Sequence, residues 1–254
     1  MLAPVSSGPE TSAPAARIVV ERRFEGPPGS GQGGWSSALF AQHLPYIPTI
    51  ALRAPIPFER PLRVEAAEDG HRLVDDQQPG PDGGPLTIMT ARPWTPDVPD
   101  TDPVTIATAR AARSAFATFV LPHPVPDCFS CGTRSDTMGV HACPLDDGRL
   151  ATDWTVPDWA VDDSSSSAAL WAALDCTAAF YVGFVPELRR VVTAQYAVDV
   201  LRPAVAGETL ALVAGPGDHP GDWDGRKRGA CSIAFDAEGL VVARARSFWV
   251  SLAS

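Results

Sequence analysis

One carboxylate sits where the surrounding composition is otherwise apolar. The stretch "SSAALWAALDCTAAFYVGF", Ser166 to Phe184, reads as a helix that is apolar on every face, with Asp175 in its middle. Such a helix is enclosed by the rest of its domain, and an unpaired carboxylate inside it is costly. Asp175 is therefore paired, protonated or open to a cleft. Either it answers a neighbouring loop or arginine, or it works as a nucleophile or general base. A second feature is "GQGGWSSALF", where Gly33 and Gly34 open another apolar run. A helix N-terminus carries unpaired N–H groups and a positive partial charge, and glycine there lets a ligand come close. Donors aimed at a developing oxyanion are worth about 3–4 kcal/mol. Taken alone, "QGG" also reads as part of the glycine-rich loop "EGPPGSGQGG".

The five cysteines are Cys128, Cys131, Cys143, Cys176 and Cys231. An odd number does not suit a disulfide framework. Cys128, Cys131, His141 and Cys143 form C-x2-C-x9-H-x-C, a set of zinc-ligand types. The last pair is closer than in the usual zinc knuckle, so the expectation is reduced structural thiols and no metal. Cys176 follows Asp175 directly. Neighbours on a helix point about 100° apart, so it is expected to fill the core and not to share a site.

The chain has 254 residues and a formal net charge of −10. That balance argues against a general nucleic-acid binder, though not against a small anion held by a local basic patch. No apolar run reads as long enough to span a bilayer, and "MLAPVSSGPETSAPAAR" lacks the regions of a signal peptide. The expectation is a cytoplasmic protein with no membrane partner.

The elements that must position these residues come as a faint repeat. "QGGWSSALFAQHL" precedes "TIALRAPIPFERPLRVEAA", and "SSAALWAALDC" precedes "VVTAQYAVDVLRPAVAGETLALVA". Each pair reads as an apolar helix, an extended segment, a proline and another strand. Pro55 to Leu62 and Pro203 to Leu210 share one spacing. Further strands follow in each half, and "DAEG" marks a hairpin turn in the last. Ser164 to Ser167 read as the N-cap of the second helix. Between the halves lies a proline-flanked connector with a helix expected from Pro103 to Phe119.

In this order the motifs resemble the hotdog-fold acyl-CoA thioesterases of the phenylacetyl-CoA and 4-hydroxybenzoyl-CoA type. The second half is similar through "CFSCG" (Cys128 to Gly132), "LWAALDC" (Leu170 to Cys176), "LRPAVAGETL" (Leu201 to Leu210) and "DAEGLVVARARSFW"; the first is similar through "GQGGWSSALFAQHL" and the strands after it. The resemblance implies an α+β fold. It would be a double hotdog, each half a long central helix wrapped by an antiparallel β-sheet, with one joint sheet. The expected divisions are an N-terminal arm over 1–16, a first half over 17–95, a linker over 96–126 and a second half over 127–254.

It also implies where chemistry lies. In these thioesterases an "HGG"-like turn opens the central helix and its N–H groups hold the thioester oxygen. An acid on the partner's central helix acts on the carbonyl or on water. Here Gln32, Gly33 and Gly34 match the turn, but the position nine residues on is Ala41. Asp175 matches the acid, but nine residues before it stands Ser166, without glycines. Each half lacks what the other keeps, which implies one composite site. Thr193 matches a hydroxyl near the water. The basic run Arg226, Lys227 and Arg228 reads as a solvated loop or as a clamp for coenzyme A phosphates. The implied substrate is an acyl thioester of coenzyme A or a carrier protein, with no cofactor. The implied assembly is a homodimer of double hotdogs. Two rival readings stay open. One is a hotdog protein that binds an acyl or other apolar ligand without turnover. The other is a dehydratase, for which His43, His71 and His123 are poorly placed.

Overall fold

The structure is a computed structural model and describes residues 15–119, 122–160, 162–184, 190–217 and 226–252. The expected N-terminal arm lies, up to residue 14, outside these residues. The first half runs β1 (Arg17–Ile18), α1 (Gly33–Ala41), β2 (Pro48–Leu52), β3 (Leu62–Ala67), β4 (Gly70–Pro79) and β5 (Pro85–Pro93). A connector carries α2 (Ile106–Arg113) and α3 (Phe116–Phe119), so the single helix expected there is two. Then come β6 (Cys143–Pro144), β7 (Leu150–Thr155), α4 (Asp163–Ala179) with a π-helical turn over Phe180–Phe184, β8 (Val191–Val200), β9 (Thr209–Pro216), β10 (Lys227–Phe235) and β11 (Val241–Ser251).

The strands form one antiparallel sheet in the order β1-β3-β4-β5-β2-β8-β11-β10-β9-β7-β6. The series β1, α1, β2 to β5 is thus repeated by β7, α4, β8 to β11. The two copies meet where β2 pairs with β8, Ile50 opposite Tyr196. Side-chain alternation sets the register. In β11, Ala243, Ala245, Ser247 and Trp249 are buried, while Arg244, Arg246 and Phe248 between them are half-buried. On the outer face of the second half, Ala151, Val213, Ile233 and Phe235 would face water. Val98, Val104 and Ala109 of the connector cover them as a second, smaller core.

Helix α4 is the centre of the main core. Its window Ser166–Phe184 is 19 residues long with mean hydropathy 1.3, which does meet the length and hydropathy of a membrane span; 89% of it is buried inside the fold. This corrects the expectation that no run is long enough. Helix α1 is shorter than expected, 9 residues, because Pro45 disfavours helical backbone at Leu44 before it. Ser164 to Ser167 lie within the first turns of α4, not ahead of them as a cap. Three hydroxyls from three elements pin α4 just before Asp175. Tyr196 Oη donates to the Trp171 carbonyl at 2.8 Å, Ser130 Oγ to that of Ala172 at 3.1 Å, and Ser232 Oγ to that of Leu174 at 2.9 Å. These bonds fix the rotation of the helix and hence the direction of the carboxylate.

Candidate active site

Helices α1 and α4 lie antiparallel against the same sheet face. The end of α1 meets the start of α4, where Gln42 Nε2 donates to the Ser164 carbonyl at 3.1 Å and Ser164 Oγ to Gln42 Oε1 at 2.8 Å. The start of α1 meets the middle of α4, and there Asp175 is 3% exposed. Gln32 caps α1: its Oε1 accepts the Trp35 N–H at 2.6 Å. That bond fixes the amide's orientation, so the Gln32 NH2 group faces Asp175 and donates to Oδ2 at 2.7 Å. The Gly34 N–H donates to the same oxygen at 3.1 Å, and Thr193 Oγ1, on β8, donates to Oδ1 at 2.8 Å.

Gly34 sits here because α4 comes so close. A Cβ added to it would lie 2.6 Å from the Trp171 carbonyl oxygen and 2.7 Å from Asp175 Cβ. The sequence suggested a ligand approaching this glycine; the approaching group is the backbone of α4. Its N–H serves the carboxylate. The Gly33 N–H, at the first helical position, has no acceptor inside its helix.

Asp175 forms part of the wall of a cavity of about 400 Å³. Gln32, Gly33 and Thr193 line it too, with Leu52, Ile56, Val125, Phe184, Val191 and Trp249 as apolar walls drawn from both halves. Burial pushes the Asp175 carboxyl up to about 7, against the bonds from Thr193, Gly34 and Gln32 that favour the charged form. A carboxylate offers about four acceptor positions, and three are filled, which leaves one for a water in the cavity.

The five residues read from the sequence as a composite site, Gln32, Gly33, Gly34, Asp175 and Thr193, therefore come together. The basic run does not line the cavity. Arg226 Nε donates to the Ser251 carbonyl at 3.0 Å, Lys227 is exposed, and Arg228 lies over the Tyr181 ring and donates to the Val182 carbonyl at 3.3 Å. Arg53, which sequence reading passed over, is exposed and does line the cavity. Cys176 belongs to the main core as expected, but it is not kept out of the site. It lines the same cavity beside Cys128 and Cys131, and Gln32 Nε2 also lies 3.6 Å from its sulfur. No lining residue is a histidine, and His71 pairs with Tyr46 Oη at 3.0 Å.

Thr193→Val tests the hydroxyl alone. It removes one bond to a charged group, worth about 1.5–3 kcal/mol, from a side chain that valine replaces in shape. If the site turns over substrate, its rate is expected to fall about tenfold or more, and the melting temperature by roughly 3–12 °C, because Asp175 Oδ1 loses its buried donor. Steady-state kinetics beside a thermal melt would check this.

No family model matches the sequence, and no curated protein matches it. Solved structures do. An acyl-CoA thioesterase II, TesB2, from Mycobacterium marinum is 17% identical, with 94% of this chain and 93% of that one covered at a TM-score of 0.52. A conserved protein of unknown function with hot dog fold from Alicyclobacillus acidocaldarius is 15% identical, over 94% and 93% of the two chains, at 0.53. The chain is a double hotdog. A tesB protein from Mycobacterium avium subsp. paratuberculosis matches likewise, at 13% identity over 93% of each chain and a TM-score of 0.53. In this double hotdog the two helix-to-helix meetings are not equivalent. One holds the hydrogen-bonded Asp175, and the other the exposed Gln42–Ser164 pair, since α1 contains no acidic residue.

Proposed function

We propose that this protein hydrolyses acyl thioesters at the composite site between its two halves. The observation that carries the reading is one buried carboxylate held by Gln32, Gly34 and Thr193 in the wall of an apolar cavity. The acyl chain would lie along the apolar wall, with its carbonyl oxygen toward the Gly33 N–H. Asp175 would take a proton from a water bound at its remaining acceptor position, and that water would attack the carbonyl carbon. The tetrahedral intermediate would collapse with loss of the thiolate, leaving the carboxylic acid. The solved structures that share the fold include proteins named as thioesterases. That naming supports the choice of thioester as substrate class.

The test is a panel of thioesters in which acyl length and carrier are varied, with free thiol as the readout. Release from coenzyme A esters, from carrier-protein esters, or from both identifies the carrier. Thiol release from no member of the panel, with saturable acyl binding, would replace this reading by that of a non-catalytic binding protein. Arg226 and Lys227, with Arg53, are proposed to hold the coenzyme A phosphates near the cavity mouth. Lys227→Glu is then expected to raise KM severalfold for coenzyme A esters and to leave truncated thioesters without phosphates unchanged. An equal effect on both would remove the clamp.

A further inference from the structure

Three thiols that the hydrolytic reading does not use converge beside the cavity. Cys128 and Cys131 come from the "CFSCG" turn and Cys176 from α4, and all three are buried. Their sulfurs all lie within 4.8 Å of one another, and those of Cys128 and Cys176 are 3.8 Å apart. We propose that Cys128, Cys131 and Cys176 bind a thiophilic metal ion, zinc, as a three-thiolate site whose fourth position faces the cavity. The inference stands on this cluster and does not depend on the hydrolytic reading.

The spacing is the first argument. Two thiolates on one tetrahedral zinc, each at about 2.3 Å, stand about 3.8 Å apart. A disulfide would need the same pair to close to about 2.05 Å. The second argument is the way the turn presents its sulfur. The turn places the Cys128 sulfur 3.8 Å from that of Cys176, and Gln32 Nε2 lies 3.6 Å from the latter. A donor aimed at sulfur orients a metal ligand. The turn itself is held tightly. The Gly132 N–H donates to the Cys128 carbonyl at 2.7 Å, and a Cβ on Gly132 would overlap the carbonyl oxygens of Cys128 and Pro126. Phe129 N donates to the Glu25 carbonyl at 2.8 Å, and its ring packs edge-on against Phe24 and Trp35. Ser130 Oγ reaches the Ala172 carbonyl. The turn is thus tied both to the entry of α1 and to α4, and a metal there would hold Asp175 and Gln32 together through Cys176.

This departs from the sequence expectation of no metal, and its ligands differ from the C-x2-C-x9-H-x-C set weighed there. His141 Nε2 lies 3.0 Å from the Gly132 carbonyl and its ring stacks on Phe116, while Cys143 Sγ is 3.8 Å from the His141 carbonyl. Neither joins the cluster. The third ligand comes from the helix, and all three thiols are buried while lining the cavity.

The test uses the full chain, purified without chelator. Elemental analysis is expected to show about one zinc per chain. Cys128→Ser with Cys131→Ser is expected to lose most of it, and Cys231→Ala, in the other core, to keep it. Should the double variant not fold, cobalt(II) added to metal-free wild type gives the second readout. Thiolate-to-cobalt charge-transfer absorption, abolished by zinc, supports the site. Metal far below one equivalent, together with no cobalt spectrum, overturns it. So does a disulfide among the three in protein kept under reductant.

Discussion

Gly34→Val is expected to destabilise the fold, not merely to narrow the cavity. The added Cβ would lie 2.6 Å from the Trp171 carbonyl oxygen and 3.0 Å from Ala172 Cα. Both are backbone atoms of α4, which Tyr196, Ser130 and Ser232 hold in place, so the helix cannot step aside cheaply. Overpacking of this kind costs about 1–3 kcal/mol or more. For a chain of this size that is a fall in melting temperature of about 3–12 °C, or failure to fold. The Gly34 N–H would move with the strain and Asp175 would lose one of its three donors, so any activity should fall too. Gly34→Ala should act in the same direction and less strongly. An unchanged melting temperature with only an altered KM would place Gly34 on the cavity wall instead.

Much of this site was legible because it contradicts its surroundings. An acid in "LWAALDCTAAF" demands partners, and the repeat indicates that they lie in the other half. Gln32 and Gly34 of that half supply two of them, and Thr193 of its own half supplies the third. The joint sheet was legible from the matched order of helix, proline and strand. What escaped the sequence depends on distances between separate elements. Cys176 was set aside because adjacent helical residues diverge by about 100°. Helix α4, however, is flanked by α1 and by the "CFSCG" turn, and the cavity reaches around both residues. The approach of Cys128 and Cys131 to Cys176 could not be read from spacing, since the helix places the third thiol. Gly34 was read as room for a ligand because sequence shows a missing side chain and not what occupies its space. The length of α1 was written at Pro45.

Asp175→Asn is the sharper test of chemistry. Its amide oxygen can still accept from Gln32 and Gly34. Its NH2 can donate to Thr193 Oγ1, whose hydroxyl rotates to accept. A buried charge disappears, while the Thr193 hydroxyl hydrogen and the second amide hydrogen turn toward the cavity, so the melting temperature should change little. What is lost is the base. Without it turnover should fall about a hundredfold or more.

The measurement that decides the account is the rate of thiol release by wild type and Asp175→Asn on the best thioester of the panel, run beside the affinity of each for a non-hydrolysable thioether analogue. The expected result is a loss of about a hundredfold or more in rate, with analogue affinity and melting temperature retained. A rate equal to that of wild type, or a change in affinity alone, would contradict the assignment of Asp175 as the base of a composite hydrolytic site.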